Sequence, residues 1–456
     1  MTTGFEAVAA PALGETRTAR APWGFPELFV ISQTALPALL YLPGTQPFRL
    51  PIRISAFAIS LAAFGWWLIE SKAPVRAARS QSWIAAVMGL LVLMLFHPHT
   101  TSLYGGIAHL AVYFAVMAPL FWAPIFVRSP ERLARLLWLL LICSGVNSVV
   151  GVLQAYDPAR WLPAEFSRII TENADLGLGP VSYIGPHGER LVRPPGLFDT
   201  PGAVAGPGMS ATLLGLVFAT SAISLWKRGL SLALAGAGLA AIYLSQVRIS
   251  LVIAGVMLGV YAFTTFRQRR ASRATMFSLL GGGTAVAAFV LALTLGGPSI
   301  EERVMTLFSA DPLSVYHNAR GVQLNITFRD LLFEYPFGAG LARWGMAAAY
   351  FQTSTLDTPT LWAEIQFTSW VIDGGIIMIA LYLGALIVIA LAQWKVAMLQ
   401  NHPRLATCAA VVMSANLGVA ALIFSFTPFN TQIGLQYWFL AGALHGIASR
   451  YGTEGA

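Results

Sequence analysis

Long apolar segments recur along almost the whole chain, and short stretches that carry lysine or arginine separate them. A helix needs about 20 consecutive apolar residues to cross the hydrocarbon core of a bilayer. Such a helix satisfies all its backbone polar groups within the segment, which is why helices can span membranes. The pattern therefore predicts an all-α polytopic membrane protein and leaves little room for a soluble globular domain.

The composition supports the same class. The chain is 56% hydrophobic and only 11% charged, with a mean hydropathy of +0.67, whereas soluble domains are about 45–50% apolar and about 25% charged. The formal net charge of +8 raises the question of nucleic-acid binding. However, the basic residues lie in short runs between apolar segments, a distribution typical of membrane topology. We therefore expect no nucleic-acid partner.

About twelve apolar runs are predicted to span the membrane. They cover residues 26–43, 54–70, 83–96, 104–127, 136–155, 202–226, 229–247, 249–266, 274–296, 361–394, 405–427 and 432–449. The stretch from 229 to 266 is divided because a single helix of that length would reach about 57 Å, far beyond a hydrocarbon core of about 30 Å. A hairpin with Arg248 at its outer tip fits both the length and the basic residues at either end.

The charge distribution also predicts the domain organisation. Residues 26–450 form the transmembrane domain, between cytoplasmic tails at 1–25 and 451–456, because the short basic connections then fall on the cytoplasmic side. Two long loops, 156–201 and 297–360, lie on the outer side and contain most of the polar side chains. Within the second loop, the spacing of apolar residues over 320–334 predicts a short amphipathic helix.

Three outer-face arginines are candidate ligands of a phosphate group. Arg193 and Arg320 lie in the long loops, and Arg248 lies at the hairpin tip. The planar guanidinium group suits bidentate recognition of phosphate, so three converging arginines would form a pyrophosphate clamp. Each of them could instead be a structural ion-pair partner or reach from the bilayer to its surface.

Two acidic residues near the start of the span 361–394 are candidates for chemistry. Glu364 is expected near the outer surface and Asp373 deeper, about 13.5 Å further along a helix, which is too far for an acid–base dyad. An ionisable residue inside a span is a functional candidate, although both acids could be structural. His97 and His99 lie on a short turn without a neighbouring cysteine or carboxylate, so no metal site is expected.

Three motifs follow one another in an order that a known family shares. The first begins at Arg193 and reads Arg-Pro-Pro-Gly-Leu-Phe-Asp-Thr-Pro-Gly-Ala-Val-Ala, and the second, Leu-Ser-Gln-Val-Arg, ends at Arg248. The third joins Arg320 to Phe328 and then to Tyr-Pro-Phe-Gly-Ala-Gly, which begins at Tyr335. These motifs and the topology resemble the O-antigen ligase and O-antigen polymerase superfamily of bacterial envelope glycosyltransferases. The resemblance covers about residues 85–450, and it implies a GT-C-like arrangement in the bacterial inner membrane.

One departure from the family pattern distinguishes two activities. Ligases of the family carry a His-Asn pair just before a glycine-containing span. Counting back from Gly375, this chain has Glu364 at that position, whereas its own His317-Asn318 pair precedes Arg320 and does not match. The departure favours a polysaccharide polymerase over an O-antigen ligase that transfers the glycan to lipid A–core or protein.

The resemblance implies a reaction on the periplasmic face. In it, an acceptor hydroxyl attacks the anomeric carbon of a sugar chain carried on undecaprenyl diphosphate, with inversion and without metal or other cofactor. Such a reaction needs a proton acceptor near the hydroxyl and cations that stabilise the departing diphosphate, and Glu364 fits the first role while Arg193, Arg248 and Arg320 fit the second. We therefore predict Glu364, Arg248 and Arg320 as catalytic residues and Arg193, Arg329, His317 and Asp373 as substrate-binding residues. The resemblance also allows further partners, namely membrane lipid and a chain-length regulator or export machinery. The alternative from another class is a flippase or permease, which would place its charges along a path through the membrane.

Overall fold

The structure is a computed structural model that describes residues 22–42, 44–70, 78–100, 102–163, 166, 181–184, 188, 190–198, 200–309, 311–351 and 360–451. Most of the predicted N-terminal tail, residues 452–456 of the C-terminal tail and the centre of the loop 156–201 therefore lie outside the described residues. The predicted division into tails and a transmembrane domain stays a prediction.

Helices account for nearly all of the described elements. In chain order they are α1 (Phe25–Ala38), α2 (Arg49–Glu70), α3 (Arg79–Met94), α4 (Leu103–Met117), α5 (Pro119–Phe126), α6 (Pro130–Tyr156), α7 (Pro158–Trp161), α8 (Ala205–Ala219), α9 (Leu225–Ser245), α10 (Arg248–Arg267), α11 (Ala271–Gly296), α12 (Pro298–Ser309), α13 (Pro312–Glu334), α14 (Gly345–Phe351), α15 (Gln366–Ala397), α16 (Pro403–Ala421) and α17 (Gln432–Ala448). Short 3-10 helices lie at Leu39–Tyr41, Gln46–Phe48, Leu422–Phe424, Pro428–Asn430 and Ser449–Tyr451. The strands β1 (Ser182–Ile184) and β2 (Arg190–Val192) form an antiparallel pair in which Tyr183 faces Leu191.

Eight segments among the described residues are long and apolar enough to cross a membrane. They are Arg49–Glu70, Leu103–Phe126, Pro130–Tyr156, Leu225–Ser245, Arg248–Arg267, Ala271–Gly296, Gln366–Ala397 and Pro403–Phe424. The helices α3 and α8 are apolar but shorter. The predicted class, a helical polytopic membrane protein, is confirmed, whereas the count of about twelve spans stays a prediction.

The hairpin predicted between residues 229 and 266 is present. The helix α9 ends at Ser245, Gln246 takes a left-handed backbone conformation with φ 57°, and α10 begins at Arg248. Because one left-handed residue reverses the chain within three positions, Arg248 lies in the first turn of α10 and at the tip of the hairpin.

Two predicted spans differ from the helices observed. The span 104–127 consists of α4 and α5, which meet at Ala118; Pro119 follows and has no N–H to continue the helical ladder. The span predicted from residue 361 begins only at Gln366, so Glu364 precedes the helix. The backbone N–H of Glu364 donates to the Gln323 Oε1 atom at 3.1 Å. This side-chain bond satisfies the N–H without a helical hydrogen bond.

The helix α15 is broken at Gly374 and Gly375, the second of which has φ 62°. Residues 335–344, named here the inserted segment, fill this break. The Ile376 N–H donates to the Pro336 carbonyl at 3.0 Å, and the Ala339 N–H donates to the Ile372 carbonyl at 2.6 Å. The inserted segment thus satisfies backbone groups that the break exposes, as irregular backbone within a membrane protein requires.

Most helices share one continuous hydrophobic core, with Trp122, Trp370 and Trp438 among its fully buried side chains. Small residues allow close packing where α8 meets α9. A Cβ atom on Gly208 would lie 2.8 Å from the Gly238 carbonyl oxygen, and one on Gly238 would lie 2.7 Å from the Gly208 carbonyl oxygen. Such glycine contacts are a common way for membrane helices to approach each other.

The bundle has two chemically different ends. A Cβ atom on Gly418 of α16 would meet Met257 of α10, so these helices lie side by side. The Gln268 side chain, just after α10, bonds the Ala397 and Ala406 carbonyls. The two helices are therefore antiparallel. The end that carries residues 245–248 and 424–426 is named the loop end, and the end that carries 267–270 and 397–406 is named the basic end.

Candidate functional site

An ion pair at the loop end joins two residues that the sequence singles out separately. The Arg320 Nη1 atom on α13 contacts the Glu364 Oε2 atom in the segment just before α15. Both side chains are partly accessible, with 39% of Arg320 and 31% of Glu364 exposed. The predicted base and one of the predicted phosphate ligands therefore lie in direct contact at an accessible position.

Gln323 fixes the backbone that carries Glu364. It lies three residues after Arg320 on α13, so both side chains point to the same side of the helix. Gln323 itself is buried. Its Oε1 atom accepts from the Glu364 N–H at 3.1 Å, and its Nε2 atom donates to the Trp362 carbonyl at 3.2 Å. The amide thus holds two backbone polar groups of the segment before α15 against α13.

The helix α13 contains two π-helical turns, at His317–Gly321 and Thr327–Leu331. Arg320 lies in the first and Arg329 in the second, and Arg329 is exposed. Such turns are rare in proteins and are frequent at functional sites. The amphipathic helix predicted over 320–334 is helical in the structure and begins earlier, at Pro312.

His317 lies in the first π turn of α13. It is exposed and lines an open groove of 440 Å³ together with Tyr316, Asn318 and Asn325. The Tyr316 hydroxyl donates to the Phe424 carbonyl at 3.0 Å, which attaches α13 to the end of α16. The groove is thus next to the Arg320–Glu364 pair along the same helix.

Arg193 and Arg248 both contact the surroundings of the hairpin tip. The Arg193 Nε atom donates to the Ser245 carbonyl at 3.3 Å, and the Arg248 Nη1 atom donates to the Thr306 hydroxyl on α12 at 2.9 Å. These two arginines therefore fasten the first and second long loops to the hairpin, a structural contribution that the sequence also allowed.

The segment that carries Arg193 is held on α6 by side-chain amides. The Gln154 Oε1 atom accepts from the Gly196 N–H at 2.9 Å, while its Nε2 atom donates to the Gly196 carbonyl at 2.8 Å. The Asn147 Oδ1 atom accepts from the Leu197 N–H at 3.1 Å. Because Gly196 has φ 66° and packs against Asn147, a side chain at this position would disturb the placement of Arg193.

The loop end thus carries Arg193, Arg248, Arg320 and Glu364. The first two lie at the hairpin tip, and the last two lie beside residues 424–426, where the Gln366 N–H donates to the Phe426 carbonyl at 3.0 Å. Partial burial lowers the pKa of the Arg320 guanidinium, but an arginine stays protonated at physiological pH. Arg320 and Glu364 together offer a cation for an anionic leaving group and a carboxylate that can accept a proton, whereas the convergence of Arg193 and Arg248 with Arg320 stays a prediction.

Asp373 lies in the interior, away from the accessible surface. Its Oδ2 atom accepts from the Tyr113 hydroxyl at 2.6 Å and its Oδ1 atom from the Trp344 indole N–H at 2.9 Å, and the His109 Nε2 atom lies 3.6 Å from Oδ2. Asp373 itself is fully buried. Its predicted role in substrate binding stays a prediction, and this burial favours the structural role that the sequence also allowed.

Sequence reasoning did not single out Gln323 or His109. His109 lies inside the predicted span 104–127, and an ionisable residue in a span is itself a signal. Its Nδ1 atom accepts from the Ala342 N–H of the inserted segment at 3.1 Å. For Gln323, position on the same helix face as Arg320 was the only available indication.

Metal-binding side chains do not cluster in the part of the chain that the structure describes: no three histidine, cysteine or acidic residues come together there. Comparison of the sequence with protein-family models gives no match, and neither does comparison with curated proteins. The assignment of a function therefore depends on the residues themselves and on the motifs they form.

Proposed function

We propose that the protein is an inverting glycosyltransferase that joins oligosaccharide repeat units carried on undecaprenyl diphosphate, that is, a polysaccharide polymerase. The observation that carries this proposal is the contact between Arg320 and Glu364 at the loop end. A proton acceptor and a phosphate ligand are the two groups that such a transfer needs. The protein would then lie in a bacterial inner membrane, with the loop end facing the periplasm and the basic end facing the cytoplasm.

The reaction assigns one step to each group. The acceptor hydroxyl oxygen forms a bond to the anomeric carbon, and the bond from that carbon to the diphosphate oxygen breaks. Glu364 takes the proton of the hydroxyl, and the electron pair of the broken bond leaves on the diphosphate. Arg320 and Arg248 stabilise the added negative charge, and Arg248 does so in the first turn of α10, where the helix dipole is also positive.

The ion pair gives the site an order of events. In its resting state the Glu364 carboxylate is paired with Arg320. A donor diphosphate that binds Arg320 bidentately competes for the guanidinium group and frees the carboxylate. The acceptor hydroxyl then meets a base only when the donor is already present, which limits loss of the activated sugar to water.

Segregation of the charges supports an enzyme more than a transporter. A transporter is expected to bind its cargo near the middle of the membrane. The accessible candidate residues lie at the loop end instead, and the ionisable residue Asp373 within α15 is enclosed by protein donors.

Purified protein in lipid nanodiscs, given a radiolabelled undecaprenyl-diphosphate oligosaccharide, tests the proposal. We expect label in products of two or more repeat units, both with and without EDTA. Transfer of label only to added lipid A–core or protein would identify a ligase. Movement of unextended substrate across a liposome membrane would identify a flippase, and both outcomes would overturn the polymerase assignment.

A further inference from the structure

The basic end contains a cationic pocket that the proposed reaction does not use. The pocket has a volume of 660 Å³ and lies between the end of α10, the start of α11 and the link from α15 to α16. Arg267, Arg269 and Arg270 line it, and the first two are exposed. Three arginines thus line one concave site.

The contacts of the partly buried arginines bring no negative charge to this site. The Arg270 Nη1 atom donates to the Thr407 hydroxyl at 2.7 Å, and its Nη2 atom donates to the Pro403 carbonyl at 3.4 Å. Arg273 donates to the Ser221 hydroxyl at 2.9 Å. Burial and, after it, the charge of Arg273 lower the pKa of Arg270. The neighbouring positive charges therefore repel one another, and a bound anion would relieve that repulsion.

The acidic residue Glu131 pairs with an arginine of this end that does not line the pocket. The Arg404 Nη1 atom contacts the Glu131 Oε1 atom at 3.4 Å, whereas no acidic side chain of the described residues lines the pocket. The positive potential of the pocket is thus available to a ligand.

One side of the pocket is apolar and continues along the outside of the bundle. Phe266, which is 60% exposed, lines it together with Met398 and Leu399. One turn deeper, the rings of Phe263 and Trp394 stack with centroids 6.1 Å apart. A ligand here would contact cations with its headgroup and an apolar surface with the rest of the molecule. This combination favours a lipid over a free anion.

We propose that this pocket binds the phosphate headgroup of an anionic phospholipid from the leaflet at the basic end. Arg267, Arg269 and Arg270 contact the phosphate, and the acyl chains follow Phe266, Met398 and the Phe263–Trp394 pair. Basic pockets between membrane helices are suited to such headgroups. The proposal is independent of the reaction at the loop end.

Native mass spectrometry of the purified full chain, titrated with phosphatidylglycerol, tests the site. The double variant Arg267→Gln, Arg269→Gln changes only exposed side chains, so it should fold. We expect it to bind phosphatidylglycerol about thirtyfold more weakly than the wild type, the combined effect of two arginines near a lipid surface. Phosphatidylglycerol should also raise the melting temperature in phosphatidylcholine nanodiscs for the wild type more than for this variant.

The matched control is Arg79→Gln, which removes an exposed arginine at the start of α3, outside the pocket. This variant should bind phosphatidylglycerol as the wild type does. An equal loss of binding in Arg79→Gln would reduce the effect to general charge attraction and overturn the proposal. Unchanged binding in the double variant would overturn it as well. If inorganic phosphate raised the melting temperature as much as phosphatidylglycerol, the ligand would be a free anion and the lipid assignment would be wrong.

Discussion

Gln323 controls the position of Glu364 through two backbone contacts. The variant Gln323→Ala removes both hydrogen bonds and should let the segment before α15 move away from α13. A misplacement of about 1 Å can cost a reaction roughly a hundredfold. We therefore expect kcat of polymerisation to fall by about tenfold to a hundredfold, while KM for the lipid-linked donor changes little because the arginines remain.

Steady-state kinetics and a melting curve on the same preparation check this expectation. The control is Asp330→Ala, an exposed side chain on the same helix that does not line the groove, which should retain both kcat and stability. A Gln323→Ala variant with unchanged kcat would show that the position of Glu364 does not depend on this amide.

The carboxylate of Asp373 accepts one hydrogen bond on each oxygen, from Tyr113 and from Trp344. Asparagine has a single acceptor oxygen, so Asp373→Asn leaves one buried donor unpaired, at a cost of about 1–3 kcal/mol. We expect a lower melting temperature, with transfer per folded molecule retained. The exposed Asp330→Asn should melt as the wild type does. Normal stability together with lost transfer would contradict the structural role and favour the substrate-binding role predicted from the sequence.

For individual residues, the chemistry of the side chains identified candidate site residues but not the residues that they contact. Glu364 and Arg320 could be selected because a base and a phosphate ligand have characteristic side chains and because the motifs place them. Their contact and the role of Gln323 depend on how two distant segments meet, which no local pattern records. His109 could have been selected, since it is ionisable and lies in an apolar run.

Among the helices, the break in α15 has the most direct test. Gly375 has φ 62°, and a Cβ atom there would overlap the Pro336 carbonyl. The variant Gly375→Ala should therefore displace the inserted segment and destabilise the protein by about 3 kcal/mol. Thermal unfolding in detergent measures this change.

Gly282 in α11 is the matched control, because nothing lies within 4 Å of a Cβ atom placed on it. Gly282→Ala should be neutral or stabilise the protein by about 0.5–1 kcal/mol, the usual gain at a helix interior. If both variants melted alike, the inserted segment would not depend on the glycine at the break.

Among the secondary-structure elements, the sequence predicted the helix boundaries that follow from bilayer thickness. It did not predict the boundaries that depend on contacts between distant segments. The hairpin of α9 and α10 followed from a run too long for one crossing. The break in α15 did not, because Gly374-Gly375 inside an apolar run gives no sign that another segment inserts there. The start of α15 at Gln366 was likewise missed, because the Glu364 N–H donates to Gln323 and the Gln366 N–H to the Phe426 carbonyl, both far along the chain.

For the whole molecule, orientation in the membrane is a prediction that single cysteines can check. Ser309 at the end of α12 and Ser272 at the start of α11 are both exposed, and the background would lack Cys143 and Cys408. In intact spheroplasts, a membrane-impermeant maleimide should label Ser309→Cys and leave Ser272→Cys unlabelled until the cells are lysed. Labelling of Ser272→Cys from outside would reverse the orientation.

Hydropathy alone was sufficient for the class of the molecule, whereas the number of spans stays a prediction. The run 202–226 contains α8, which ends at Ala219, and the chain then turns before α9 begins at Leu225. Apolar turns of this kind cannot be distinguished from helix by composition, so the predicted spans extend beyond the helices.

The variant Glu364→Gln tests whether Glu364 is the base, in the radiolabelled polymerisation assay and with binding of the lipid diphosphate measured on the same protein. Glutamine has nearly the same shape but is not a base and no longer competes as an anion for Arg320. We therefore expect donor binding at least as tight as in the wild type, with transfer slower by about 10²–10⁴-fold. Glu301→Gln, an exposed change on α12, should retain full activity, and His317→Ala should have a mild effect. An active Glu364→Gln protein beside an inactive His317→Ala protein would contradict the account and assign the base to His317.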